Sequence, residues 1–381
     1  MSDEKPKTRR PANTAFKQQR LKAWQPLLTP KSVLPTLFIL GVIFAPLGAF
    51  LLHTSNSVSE LIIDYTSCAT EAASAGKVSF SAPGVSNPNI NLRWNFARSN
   101  AQGANANTGT CTLEFDLPTT FQAPVFIYYR LTNFYQNHRR YVRSFDASQL
   151  RGTSPPSTSI VSNCNPLGLY PTNSTLNPPP AADAVYYPCG LIADSMFNDT
   201  INNPVRVSGG SQTPYEFSPK NIAWPADKSK YGKLKDFDRN KHLPPPNWVA
   251  RFGNGSGRYD TAPPLDEDER FHVWMRTAGL PNFRKLYGRN DKDNLQQGSY
   301  KLEIASNFEV NSFGGTKSVV ISTVSFMGGK NPFLGYAYIV VGAVCIFLAV
   351  VFAARHLYSP RKLGDHTYLS WNHQPPPSTN Q

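Results

Sequence analysis

Two uninterrupted apolar runs, Val33 to Leu52 and Phe333 to Ala354, constrain this chain more than any other feature: they are 20 and 22 residues long, and neither contains an Asp, Glu, Lys or Arg. At 1.5 Å per residue they rise about 30 and 33 Å, enough to cross a hydrocarbon core of roughly 30 Å. A helix of that length buried in a soluble core would be amphipathic, so both runs read as membrane spans. A cleaved leader is disfavoured for the first, because 32 residues precede it and no small-x-small cleavage site follows.

Orientation follows from the flanks. The twenty residues before the first span hold Lys17, Arg20, Lys22 and Lys31 with no acid; the twenty after it hold Glu60, Asp64 and Glu71 with no base. The positive-inside rule puts the amino terminus in the cytosol. Five segments are therefore expected: a basic tail (1–32), a first span (33–52), a lumenal or extracellular domain (53–332), a second span (333–354) and a cytosolic tail (355–381). Of the net charge of +13, the first tail carries +6 and the second +2, leaving +5 for the ectodomain. The amino-terminal tail is thus suited to an anionic leaflet, at about 1 kcal/mol per Lys or Arg near the surface. No nucleic-acid reading motif accompanies the charge.

Cysteines and sequons agree with this topology. Cys68, Cys111, Cys164 and Cys189 all lie between the spans, and Cys345 sits alone inside the second. Four cysteines on an oxidising side read as two disulfides, with three connectivities open and chain order favouring the sequential pairing. Each would be worth ~3.5–4 kcal/mol in the chain-entropy account. The glycosylation sequons headed by Asn173, Asn198 and Asn254 fall in the same segment.

The ectodomain reads as strands and long loops. Residues 125–135 are rich in β-branched and aromatic side chains, Lys301 to Ala305 alternates, and Lys317 to Phe326 is a strand by composition. The turn signal Asn311-Ser-Phe-Gly-Gly315 predicts that the last two pair as an antiparallel hairpin running into the second span. Phe271 to Arg276 is compatible with a strand or a short helix. Proline clusters interrupt the rest, so the expected fold is a mainly β, sandwich-like domain with long loops.

Motifs for chemistry do not emerge. The chain has no Gly-x-Ser-x-Gly elbow, His-Glu-x-x-His helix, P-loop, kinase set or Asp-Lys-Thr-Gly-Thr phosphorylation motif, and its seven histidines are scattered. The run Asp266 to Glu269 lacks the glycine and ligand spacing of a calcium loop. The reading is a non-enzyme without metal or cofactor. The spans carry no intramembrane charge, hence no evident ion path. They do carry small residues every fourth position, Gly41, Ala45 and Ala49 in the first and Cys345, Ala349 and Ala353 in the second. Such stripes let another helix approach closely and are expected to dock a partner.

Five stretches carry a resemblance: Arg10 to Pro26 before the first span, Tyr128 to Tyr141, Pro188 to Thr200, Leu280 to Gly288, and Gly328 to Gly335 entering the second span. In this order and topology the chain resembles the accessory beta subunits of type IV P-type ATPases, the lipid flippases, known as the cell division control protein 50 or ligand-effect modulator family. The resemblance implies a non-catalytic subunit that pairs with a ten-span pump moving phospholipid from the exoplasmic to the cytosolic leaflet, and that is needed for its export from the endoplasmic reticulum and its transport cycle. It implies a two-sheet antiparallel ectodomain, with Cys68 paired to Cys111 and Cys164 to Cys189. Animal members have additional cysteines in the first region, so the chain looks closer to the fungal type.

On that basis Asn13, Phe16, Arg20 and Trp24 are expected to meet the pump along the inner membrane surface. Arg139, Arg140 and Arg143 are expected at acidic loops or headgroups on the outer side. Residence in the endoplasmic reticulum, Golgi or endosomes and plasma membrane is implied. The rival reading is a glycosylated receptor or adhesion protein, which would share the sequons, disulfides and spans but would not require the segment before the first span.

Overall fold

A computed structural model describes residues 10–22, 28–73, 77–85, 90–99, 108–171, 176–208, 211–252 and 257–360. The chain forms two compact units, divided between Leu52 and His53 and between Pro332 and Phe333.

The first unit holds the two long helices, α1 (Pro30–Asn56) and α9 (Phe333–Tyr358), each longer than the apolar run that specifies it. Between them lie the strands β1 (Glu60–Asp64), β2 (Val78–Ser81), β3 (Arg93–Arg98), β4 (Gly109–Leu117), β5 (Val125–Leu131), β6 (Val185–Tyr186), β7 (Thr200–Ile201), β8 (Val205–Ser208), β9 (Ser211–Pro214), β10 (His242–Leu243), β11 (Phe283–Asn290), β12 (Gly298–Ser306) and β13 (Lys317–Thr323). Short helices fill the connections: α2 (Arg139–Arg143), α3 (Ala147–Leu150), α4 (Ser157–Asn163), α5 (Leu191–Asp194), α6 (Pro225–Lys228), α7 (Val249–Phe252) and α8 (Glu269–Met275).

Two large sheets and a two-stranded parallel pair, β10-β6, form the second unit. One runs β11-β5-β13-β1-β2; the other runs β3-β4-β12-β8-β9, with β7 also on β12. In β4 and β12 buried and half-exposed positions alternate, and Cys111, Leu113 and Phe115 stand opposite Ile304, Leu302 and Tyr300. That is the pattern of a sheet with one face to the core. The middle strand β13 is instead buried at six successive positions, as a strand covered on both faces must be. Leu61, Ile63, Ile127, Tyr129, Val319 and Ile321 of the first sheet join Leu113, Phe115, Leu302 and Ile304 of the second in one apolar core.

The expected hairpin is not formed: β12 and β13 lie in different sheets, and the chain between them crosses over. The turn signal is real, with a short 3₁₀ turn at Asn311–Phe313 and Gly314 at φ +63°, but it redirects the chain instead of pairing its flanks. Burial decides the outcome, since a strand covered on both faces belongs at the centre of the five-stranded sheet. Residues 271–275 belong to helix α8, with Arg276 as its C-cap, and the N-cap Asp268 accepts from the Phe271 N–H at 3.1 Å.

A buried ion pair ties the sheets together. The Asp199 carboxylate, just before β7, accepts from Lys317 Nζ at 2.8 Å and from the Tyr65 hydroxyl at 2.8 Å, and its other oxygen accepts from the backbone N–H groups of Asn307 and Phe308. Lys317 Nζ also donates to Ser306 Oγ and the Phe308 carbonyl, so all three of its protons are used. Lys317 and Tyr65 belong to the first sheet's strands or their ends; Asp199, Ser306 and Phe308 belong to the second. Burial and then the Asp199 charge raise the Tyr65 phenol well above its ordinary value, so it stays a donor.

Disulfides add to this tie. Cys68, after β1, is bonded to Cys111 in β4, and Cys164, at the end of α4, is bonded to Cys189 ahead of α5. Lys317→Met would leave the Asp199 charge buried and uncompensated, and should cost roughly 3–5 kcal/mol. Chemical denaturation of the purified full-length protein reads this directly, and the double replacement Lys317→Met with Asp199→Leu should recover part of the loss.

Candidate partner-binding surfaces

The two apolar helices meet through glycine. A Cβ on Gly48 would lie 2.7 Å from Ile339 N and 2.8 Å from the Gly335 carbonyl, and one on Gly342 would lie 2.8 Å from Ala45 N. Only hydrogen in place of a side chain permits that approach. Gly41 sits against Ile346 and Gly342, and the Phe44 and Tyr338 rings meet edge-on at 5.1 Å. This corrects the expectation that Gly41 and Ala45 form a face for a partner helix, because they pack the protein's own second span. The operative spacing is seven residues, Gly41 to Gly48 and Gly335 to Gly342 to Ala349, all buried. That heptad of small residues was visible in the sequence beside the four-residue stripe. Ala49 is exposed and Ala353 half-buried, while Val344, Phe347 and Val351 point outward.

In the tail before α1, Thr14 to Gln19 form a turn held by the Thr14 carbonyl, which accepts from the Gln18 N–H at 3.0 Å. The Arg20 guanidinium donates to Asn13 Oδ1, so these two expected contact residues brace one another. Phe16 is 76% exposed, an apolar ring presented on a basic segment. Trp24 lies outside the described residues.

Arg139, Arg140 and Arg143 stand on helix α2, and all three are exposed. The helix is fixed by what faces inward: the Tyr141 hydroxyl is hydrogen-bonded to Ser195 Oγ at 2.8 Å, and Ser144 Oγ accepts from the Leu191 N–H at 2.9 Å. Burial pushes the Tyr141 phenol up to about 12. Of the sequon asparagines, Asn198 is half-buried beside Asp199, and Asn173 and Asn254 lie outside the described residues.

Titratable groups with displaced ionisation are structural. At Glu269 burial opposes the charge, but Lys228 and the N–H groups of Ala223, Asn221 and Ile222 outweigh it and bring the carboxyl down to about 2. The acidic run singled out above thus supplies an N-cap and a loop anchor. Burial, with the Arg276 charge adding, pushes Lys285 down to about 7, while its Nζ donates to the carbonyls of Val273, Trp274 and Arg276 at the end of α8. His272 is fully buried, donates from Nε2 to the Leu265 carbonyl at 2.6 Å and stacks on Tyr231, whereas its Nδ1 has no hydrogen-bond partner among the described residues. Burial lowers its ionisation below the ordinary histidine value. Among the described residues no group of three His, Cys, Asp or Glu is arranged to hold a metal ion. None of these positions was legible as a site in the sequence, because each depends on burial and contacts that only the folded chain makes.

Comparison with known proteins gives these surfaces a context. The family described as LEM3 (ligand-effect modulator 3) family / CDC50 family matches residues 51–362. The phospholipid-transporting ATPase accessory subunit CDC50 of Chaetomium thermophilum is 39% identical, over 97% of this chain and 93% of its own length. The phospholipid-transporting ATPase accessory subunit CRF1 of Saccharomyces cerevisiae is 38% identical over 97% and 91%, and cell cycle control protein 50A of Bos taurus is 41% identical over 91% and 88%.

Two outcomes follow from the packing and the buried imidazole. Gly342→Leu should part the helices at a cost of ~1–3 kcal/mol, read as a several-fold lower crosslinking yield between Phe44→Cys and Tyr338→Cys in that background. Folding stability should fall as pH drops below about 6.5, where the unfolded His272 takes up a proton that the folded one resists. His272→Gln keeps an amide donor for Leu265 and cannot titrate, so thermal melting as a function of pH should show its acid loss shifted to lower pH.

Proposed function

Since the chain belongs to the LEM3/CDC50 family, we propose that it is the non-catalytic accessory subunit of a type IV P-type ATPase that moves phospholipid from the exoplasmic to the cytosolic leaflet, needed for that pump's folding, export and transport cycle. One observation carries the reading: relatives named as accessory subunits of phospholipid-transporting ATPases align with nearly all of the chain, spans and tails included. The fold fits the role. A two-sheet unit braced by a buried ion pair and two disulfides is stiff, and a stiff body bound to a moving partner biases the partner's conformers by its differential affinity for them.

The protein is an integral membrane protein; in the proposed arrangement both tails face the cytosol, and residence runs from the endoplasmic reticulum through Golgi and endosomes to the plasma membrane. Asn13, Phe16, Arg20 and Trp24 contact the pump on the inner side, with Phe16 as an apolar anchor. Ala49, Ala353 and the outward faces of the spans meet it within the bilayer, and Arg139, Arg140 and Arg143 meet acidic groups on the outer side. Asn173, Asn198 and Asn254 carry glycan.

Purification of the tagged full-length protein in mild detergent should bring down a P-type ATPase in equal amount, with ATP hydrolysis stimulated by phospholipid. A partnerless, fully glycosylated protein leaving the cell would overturn the reading. Phe16→Ala with Trp24→Ala should lower the ATPase activity of the reconstituted complex without changing ectodomain melting; unchanged activity would remove the inner contact.

A further inference from the structure

The geometry points to a binding site on the β-rich unit for an acidic polypeptide segment bearing one bulky apolar side chain. A cavity of about 400 Å³ opens beside α3 and the last turn of α8, with Leu150, Ile192 and Met275 as its apolar lining and Phe145, Arg151 and Arg276 at its edge. Leu150 and Ile192 are buried, Met275 is half-buried, and Phe145 is 37% exposed. The volume lies near the lower end of ligand pockets, suited to a single large side chain.

Beside it Trp224 is 64% exposed, with the Arg276 guanidinium 3.9 Å from its ring centroid. Aromatic rings, methionine and arginine around a partly covered hollow are the composition of an interaction hot spot, where an anchor side chain inserts and its surroundings exclude water.

The charge around the hollow selects the partner. Asp227 is the carboxylate in the lining, and it is already held by Lys230 at 2.7 Å and Arg276 at 3.5 Å. Arg151 at the edge and Arg139, Arg140 and Arg143 just upstream are exposed and have no ion pair among the described residues. The exposed Lys233 and Lys235 are brought alongside by backbone bonds, Gly232 N–H to the Leu150 carbonyl and Lys235 N–H to the Gly152 carbonyl. Such a field draws an anionic partner, and a polar rim around an apolar seat fixes its register.

The test uses the full-length protein in detergent and a fluorescent peptide of alternating Asp and Glu with Phe at its centre, compared with the same peptide carrying Ala there. The Phe peptide should bind at least ~10-fold more tightly. Phe145→Ala should abolish that difference, and combined Arg139→Gln, Arg140→Gln and Arg143→Gln should weaken both peptides and flatten their salt dependence. Unchanged melting of both variants shows that the fold is intact. Equal binding of the two peptides, or no binding at roughly millimolar peptide, would overturn the site. Displacement of the Phe peptide by short-chain phosphatidylserine but not by unlabelled peptide would assign the patch to headgroups and overturn it equally.

Discussion

The pairing of Asp199 with Lys317 is the interaction on which the rest of the ectodomain depends. Both side chains are almost wholly removed from water, at 0% and 5% exposure, so each charge is tolerable only because the other is 2.8 Å away. Their remaining hydrogen-bonding capacity is filled by Tyr65, Ser306, Asn307 and Phe308, groups from both sheets. Apolar burial would hold two sheets together in many relative positions, but a carboxylate with four donors accepts few. The same carboxylate holds the Asn307 and Phe308 N–H groups where the chain leaves β12 on its way to β13. Cys68–Cys111 joins the same two layers through covalent bonds and limits the unfolded chain as well.

The membrane pair obeys a different rule. Lipid tails supply no hydrophobic drive between helices, so close backbone approach has to provide the contact, and Gly48 against Ile339 and Gly342 against Ala45 provide it. Because the smallest residues face inward, the surface left for a partner helix is built from Val344, Phe347 and Val351 and their neighbours. A subunit of this kind would grip its partner in the bilayer by matching bulky surfaces. The closest backbone contacts are already made within the chain.

Much of the architecture was legible in the sequence, and the failures have identifiable causes. The spans, the strand content of 125–131 and 317–323, and the segregation of four cysteines between the spans could be read directly, since each follows from local composition. The hairpin reading failed because a turn motif reports where the chain bends, whereas pairing is decided by which strand can be buried on both faces. The small-residue stripe was found at the wrong period because four- and seven-residue repeats coexist in Gly41 to Ala49, and only the neighbouring helix chooses between them. At the candidate surfaces, the arginines of 139–143 stood out as charge, but the hollow beside Phe145 was invisible. It is assembled from Leu150, Ile192, Tyr231 and Met275, whose proximity no local pattern encodes.

The sequence by itself determined that this protein crosses a membrane twice, that its large middle segment is β-rich and holds four cysteines, and which family it belongs to. Those properties are sums over neighbouring residues: length of apolar run, flanking charge, β-branched content, cysteine count. Only the tertiary structure decided which strands share a sheet, which glycines face each other, that Asp199 in a sequon is a buried counter-ion, and that Glu269 in an acidic run is a loop anchor. Each of these is a contact between residues far apart along the chain. Its free energy comes from desolvation and hydrogen-bond geometry that exist only once the chain has closed around it.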